Sequence, residues 1–138
     1  MRIIGIDHGL SRIGLAVWDS QADVVLPLGV LAERDFEKAV RSVSATLLTE
    51  GADLAVVGVP RRLSGEAGGE QAERALSFAA ALRRESGLPV ETDDERLSSR
   101  AADSLRSEGS KGEVSERDAL AAVAILESYI DRHGEYED

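Results

Sequence analysis

The stretch Ile3-Ile4-Gly5-Ile6-Asp7-His8-Gly9-Leu10-Ser11-Arg12-Ile13-Gly14-Leu15-Ala16-Val17 carries more of the fold than any other part of this chain. An apolar run ends on a carboxylate, a glycine-containing turn follows, and a second apolar run leads back. Runs of Ile and Val predict strands buried against a core, so residues 2–7 and 13–18 read as a hairpin. An acid at the end of a buried strand is costly unless something positive meets it. A metal ion or a metal-bound phosphate meets that need, and the segment therefore points to phosphate chemistry.

Working outward, Val24-Val25-Leu26-Pro27-Leu28-Gly29-Val30-Leu31 is apolar, but Pro27 cannot donate to a ladder, which predicts an edge strand. Phe36, Ala39, Val40, Val43 and Leu47 recur at helical spacing within 35–49, with Gly51 placed to end the helix. Asp53-Leu54-Ala55-Val56-Val57-Gly58 predicts a short buried strand. A long helix over 66–86 carries Ala72, Ala75, Leu76, Ala79 and Leu82 on one stripe and stops at Gly87-Leu88-Pro89. A strand at 89–94 and helices at 98–108 and 115–132 complete the chain. The order β-β-β-α-β-α-β-α-α predicts a mixed α/β sheet with helices on its faces. Residues 1–133 read as a single domain and 134–138 as an acidic, flexible tail, with the glycine-rich Ser64–Gly69 as the most flexible internal loop.

Composition narrows the chemistry. At 138 residues the chain can bury one substantial core. It has no cysteine, which removes disulfides and thiolate zinc sites, and its two histidines, His8 and His133, are far apart. No apolar run approaches the roughly 20 residues that cross a bilayer, so a cytoplasmic protein with no membrane partner is expected. The net charge of -10 opposes binding of nucleic acid through bulk electrostatics. Yet Arg12, Arg61, Arg62, Arg96, Arg100, Lys111 and Arg117 all fall in or beside expected loops, close in sequence to the acidic motifs.

Three groups of acids stand out. Asp7 could cap its own turn, but Gly5 and Gly9 leave space beside it for a ligand. Asp93-Asp94-Glu95-Arg96 follows the last strand, either as a solvated turn or as a cluster needing a cation. Asp118 has the spacing of a capping box with Ser115. It also shares the stripe of Ala121, Ala122, Ile125 and Tyr129, which aims it at the sheet. His8 could contact a metal or a substrate or be incidental to the turn, Glu66 is a weaker candidate carboxylate, and Trp18 and Phe78 read as packing residues.

Asp7-x-Gly9-x-x-Arg12-Ile13-Gly14, Asp94-Glu95-Arg96-Leu97-Ser98-Ser99 and Asp118-x-Leu120-Ala121-Ala122-Val123-x-Ile125-Leu126 together resemble the signatures of the YqgF/RuvX family. Val56-Val57-Gly58-Val59-Pro60, followed by Gly65, resembles a fourth block of that family. The resemblance spans nearly the whole chain. It implies an RNase H-like fold, with a five-stranded mixed sheet ordered 3-2-1-4-5 and flanked by helices, related to the RuvC resolvases. Carried over position by position, it implies that Asp7, Glu95 and Asp118 are catalytic and hold Mg²⁺ or Mn²⁺, which prefer oxygen ligands. It makes Gly9, Arg12, Arg61, Arg62 and Arg96 candidates for binding the phosphates of a substrate.

The implied activity is metal-dependent phosphodiester hydrolysis on structured RNA or branched DNA. Processing of the 5′ end of pre-16S ribosomal RNA is the leading role, with cleavage of four-way DNA junctions beside it. A homodimer follows by analogy with resolvases that cut two strands. The chain departs from the family pattern at His8, at Arg62 and in a less basic segment at 110–117. A binding module without chemistry is the alternative on the same fold. An ATPase of the sugar-kinase type uses a similar Asp-x-Gly turn but needs well over twice this length.

Overall fold

Four consecutive residues of the first strand, Ile3 to Ile6, are buried because helices cover both faces of the sheet. The computed structural model describes residues 1–60, 69–94 and 114–133, with the backbone alone described at 94 and 114–118. Its elements are β1 (Arg2–His8), β2 (Arg12–Asp19), β3 (Val24–Ala32), α1 (Phe36–Thr49) and β4 (Leu54–Val59). They continue with α2 (Glu70–Ser86), β5 (Val90–Asp94) and α3 (Val114–Arg132). The expected helix at 98–108, the Ser64–Gly68 part of the loop with Glu66, and the 134–138 tail lie outside the described residues.

The five strands form one sheet in the order β3-β2-β1-β4-β5, as the family resemblance implies. β1 pairs antiparallel with β2 and parallel with β4, so the hairpin and the β-α-β half share β1 as their common strand. β3 is an edge strand, as Pro27 requires, and a register shift opposite Leu15 and Ala16 absorbs the irregularity.

Alternation along β1 divides the core. Ile4 and Ile6 face a layer built by α1 and α2, together with Ile13, Leu15, Val57, Val43, Leu47, Phe78 and Leu82. Ile3 faces the other layer, where Ala16, Trp18 and Val56 meet Ala122, Ile125, Leu126 and Tyr129 of α3. Trp18 and Phe78 are thus core residues, 4% and 0% exposed.

The buried stripe of α2 is Ala72, Ala75, Phe78, Ala79 and Leu82. Phe78 takes the place expected of Leu76, which is 49% exposed. Asp35 caps α1 by accepting from the Lys38 N–H, and the chain leaves that helix through Gly51 at φ 68°.

Gly5 decides how near α3 comes. A Cβ at Gly5 would stand 2.9 Å from Leu126 Cβ and 3.1 Å from the Ala122 carbonyl oxygen. Both neighbours belong to the helix framework and cannot rotate away. A Cβ at Gly58 would meet the Ile125 side chain, 2.4 Å from its terminal Cδ1. We predict that Gly5→Ala costs about 1–3 kcal/mol through overpacking and that Gly58→Ala costs less. Urea unfolding of the two variants checks this, and a Gly5→Ala protein as stable as wild type would refute the close contact.

Candidate active site

The site grows from the turn that joins β1 to β2. The Gly9 N–H donates to the Arg12 carbonyl at 2.9 Å, closing a tight turn with Leu10 and Ser11 at its tip. A Cβ at Gly9 would lie 2.7 Å from that same carbonyl oxygen, so only glycine closes the turn this way. The Glu33 N–H donates to the Ser11 carbonyl at 3.1 Å and ties the turn to the end of β3.

Both flanking glycines therefore act differently from the expectation that they leave room for a ligand. The space beside Gly5 is filled by α3, and the space beside Gly9 by the turn's own carbonyl.

Asp7 is the last residue but one of β1 and shares the α3 face with Ile3 and Gly5. It is half-buried and lies in register with Gly14 of β2. A mainly polar pocket of about 350 Å³ opens here, lined by Asp7, His8, Gly9, Leu10, Ser11, Arg12, Pro60 and Gln71. The structure thus brings Asp7, Gly9 and Arg12 of the expected site together. It adds Ser11 and Gln71, which no motif pointed to, because the first turn of α2 lies beside the β1–β2 turn.

His8 points to the opposite layer from Asp7. Its ring stacks on Phe78 at 4.5 Å between centroids and 29° between planes, and Phe36 meets Phe78 edge-on at 6.1 Å. Burial pushes the His8 pKa below its ordinary value, and the Arg74 charge pushes the same way. His8 lines the pocket while its ring is held from behind by the core.

The backbone of α3 puts position 118 one helical turn before Ala122, whose carbonyl meets Gly5 two residues before Asp7. The side chain of Asp118, and all of Glu95, Arg61, Arg62 and Arg96, lie outside the described residues. Among the described residues, no three Asp, Glu or His side chains come together as a metal site.

Two acids of β5 upstream of Glu95, Asp93 and Glu91, already have partners. Asp93 forms an ion pair with Arg132, and Glu91 accepts from the Tyr129 hydroxyl at 2.6 Å. Asp93 therefore anchors the far end of α3, an outcome the acidic run alone did not reveal.

A five-stranded mixed sheet ordered 3-2-1-4-5 with helices on both faces is an RNase H-like fold. In fold, the structure resembles Thermus thermophilus RuvC solved in complex with a Holliday junction substrate. That match has a TM-score of 0.62 and 20% identity, and covers 97% of each chain. The family model described as RuvX, Holliday junction resolvase, matches residues 1–132, and the chain belongs to that family.

Two relatives carry the name "Putative pre-16S rRNA nuclease". One, from Anaeromyxobacter sp., is 43% identical over 137 residues, covering 96% of this chain and 99% of the relative. The other, from Desulforudis audaxviator, is 38% identical over 133 residues and covers 94% of each. The chain is accordingly a nuclease, a hydrolase of phosphodiester bonds.

Because its folded pKa is depressed, His8 contributes stability that is present above its ordinary value of 6.5 and is lost as the pH falls below it. Urea midpoints in metal-free buffer should drop more between pH 7.5 and pH 5.5 in wild type than in His8→Phe, which keeps the aromatic stack. Equal drops in the two proteins would rule out His8 as the source.

Proposed function

We propose that this nuclease uses a divalent cation, Mg²⁺ or Mn²⁺, held by Asp7, Glu95 and Asp118, to mature the 5′ end of pre-16S ribosomal RNA. The observation that carries the proposal is the position of Asp7. It stands next to the end of the central strand, in a polar pocket shared with Arg12, beneath the helix that carries Asp118. Three carboxylates form an all-oxygen donor set, which suits hard cations of this kind. The bound cation would supply the positive charge that a phosphodiester transition state needs.

The protein's own groups would do the rest. Asp7 would fix the reacting end of the site on a strand that packing holds rigid. Arg12 would hold a phosphate from the start of β2, at the base of the anchored turn, with Arg61, Arg62 and Arg96 extending that role. The closed turn at Gly9 keeps the backbone compact beside the pocket, so a phosphate can approach Arg12 and Asp7 together.

The names of the relatives favour ribosomal RNA as the substrate, and the family description favours branched DNA as a second one. A homodimer would suit symmetric cleavage of such a junction. Among the described residues no helix is long and apolar enough to cross a membrane, which is consistent with work on cytoplasmic RNA.

The test pairs a structured RNA carrying the unprocessed 5′ end with a four-way DNA junction, each with and without Mn²⁺. Wild type should cleave only with metal, and Asp7→Asn should lower cleavage by at least about 100-fold, as loss of a direct ligand exceeds loss of its supporting shell. Mn²⁺ should raise the melting temperature of wild type and not of Asp7→Asn. Cleavage that ignores both metal and Asp7 would overturn the proposal. RNA binding without any cleavage would leave a binding module on the same fold.

A further inference from the structure

We propose that the groove between the C-terminal half of α3 and the β2–β3 turn docks a basic, partly apolar segment of another protein. The groove measures about 770 Å³, more than twice the roughly 350 Å³ of the active-site pocket. It lies at the other end of the hairpin, because Trp18 stands opposite Ile3 whereas Gly14 stands opposite Asp7.

Its floor is apolar and its rim is acidic. Trp18 and Ala124, 4% and 1% exposed, form the floor with the half-buried Val25. Asp23, Glu127 and Asp131 bring three carboxylates to the lining. Among the described residues Arg132 is the one cation in the lining, and it is already committed to Asp93 of β5.

Glu127 and Asp131 sit one turn apart on α3, where like charges repel. Partial burial, and then the Asp131 charge, raise the Glu127 pKa above its ordinary value. Among the described residues, no cation is paired with either acid. A guanidinium or ammonium entering the groove would screen the repulsion, and its charge would offset the cost of desolvation.

The surface is preformed. The Asp23 N–H donates to the Asp19 carbonyl at 2.8 Å, and the Trp18 indole N–H donates to Asp23 Oδ1 at 3.2 Å. These bonds hold Asp23 at φ 52° and leave little to be ordered on binding.

Charge selects the occupant. Nucleic acid would bring phosphates to three carboxylates, and a second copy would bring another net charge of -10. A Lys- or Arg-rich segment with interspersed apolar residues satisfies both rim and floor. Such segments are common in proteins that themselves lie on RNA, so docking would carry this acidic chain to a polyanion it is poorly charged to seek. The docking itself does not depend on the nuclease reading.

Trp18 is the chain's single tryptophan, so its emission reads the groove directly. The probe is a twelve-residue peptide alternating lysine with valine, titrated into the full chain, with a glutamate–valine peptide as control. A saturable change in Trp18 emission is expected with the lysine peptide and none with the control. The double variant Glu127→Lys/Asp131→Lys should bind at least about tenfold more weakly, from the loss of two charge-assisted contacts. Its nuclease activity should match wild type, which separates this surface from the catalytic end.

No saturable change, equal binding by the double variant, or equal binding of the control peptide would overturn the proposal. A concentration-dependent change without peptide, with a dimer seen in sedimentation, would assign the groove to a second copy and overturn it too.

Discussion

The contact between Gly5 and α3 is the constraint on which the rest of this molecule depends. With no Cβ at position 5, the backbone of the central strand meets Ala122 and the stem of Leu126 directly. That approach sets the height of α3 above the sheet, and it sets where position 118 falls relative to the end of β1. The other end of the helix is fixed separately, by the Tyr129–Glu91 hydrogen bond and the Arg132–Asp93 ion pair. A helix pinned at two places cannot slide or rotate without breaking one of them. The geometry between Asp7 and position 118 is therefore a property of core packing, well away from any substrate.

Adjacent residues on β1 serve opposite layers, which gives the site rigidity from two directions. Asp7 faces the α3 layer, and His8 faces the layer of α1 and α2, where it stacks on Phe78. The two-residue period of a strand makes this division automatic. Closed by Gly9 and bound to β3 through Glu33, the turn holds Arg12 at the pocket without the entropy cost of ordering a long loop. A carboxylate and a guanidinium are in this way presented by one short hairpin.

Much of this was legible in the sequence, because the controlling signals were local. Apolar runs gave the strands, Pro27 put β3 at an edge, and the stripe from Ala121 to Tyr129 turned α3 toward the sheet. The misreadings came where two elements meet. Gly5 looked like an opening for a ligand, but its missing side chain serves a helix more than a hundred residues away in sequence. Leu76 and Phe78 both stand near the edge of the apolar stripe of α2, and only the position of Phe36 and His8 selects the larger ring. Asp93 read as one of a repelling acidic run until Arg132, at the end of another element, neutralised it. Gln71 joined the pocket because the first turn of α2 packs beside the β1–β2 turn, a tertiary contact that no spacing rule could have found.

The net charge of -10 is the wrong quantity by which to judge this nuclease. From the Asp7–Gly14 pair to the Ile3–Trp18 pair is four residues of strand, about 13 Å at ~3.3 Å per residue. The Debye length at physiological ionic strength is about 8 Å, so carboxylates at the Trp18 end are largely screened from a phosphate at the Asp7 end. In the proposed mode of action a phosphate would first meet Arg12 and the cation held by the acids. Acidity at the far end then costs little in catalysis, and it leaves a surface that repels the substrate while attracting basic partners. Separating the two charges along one hairpin lets a strongly acidic chain work on a polyanion without first becoming basic.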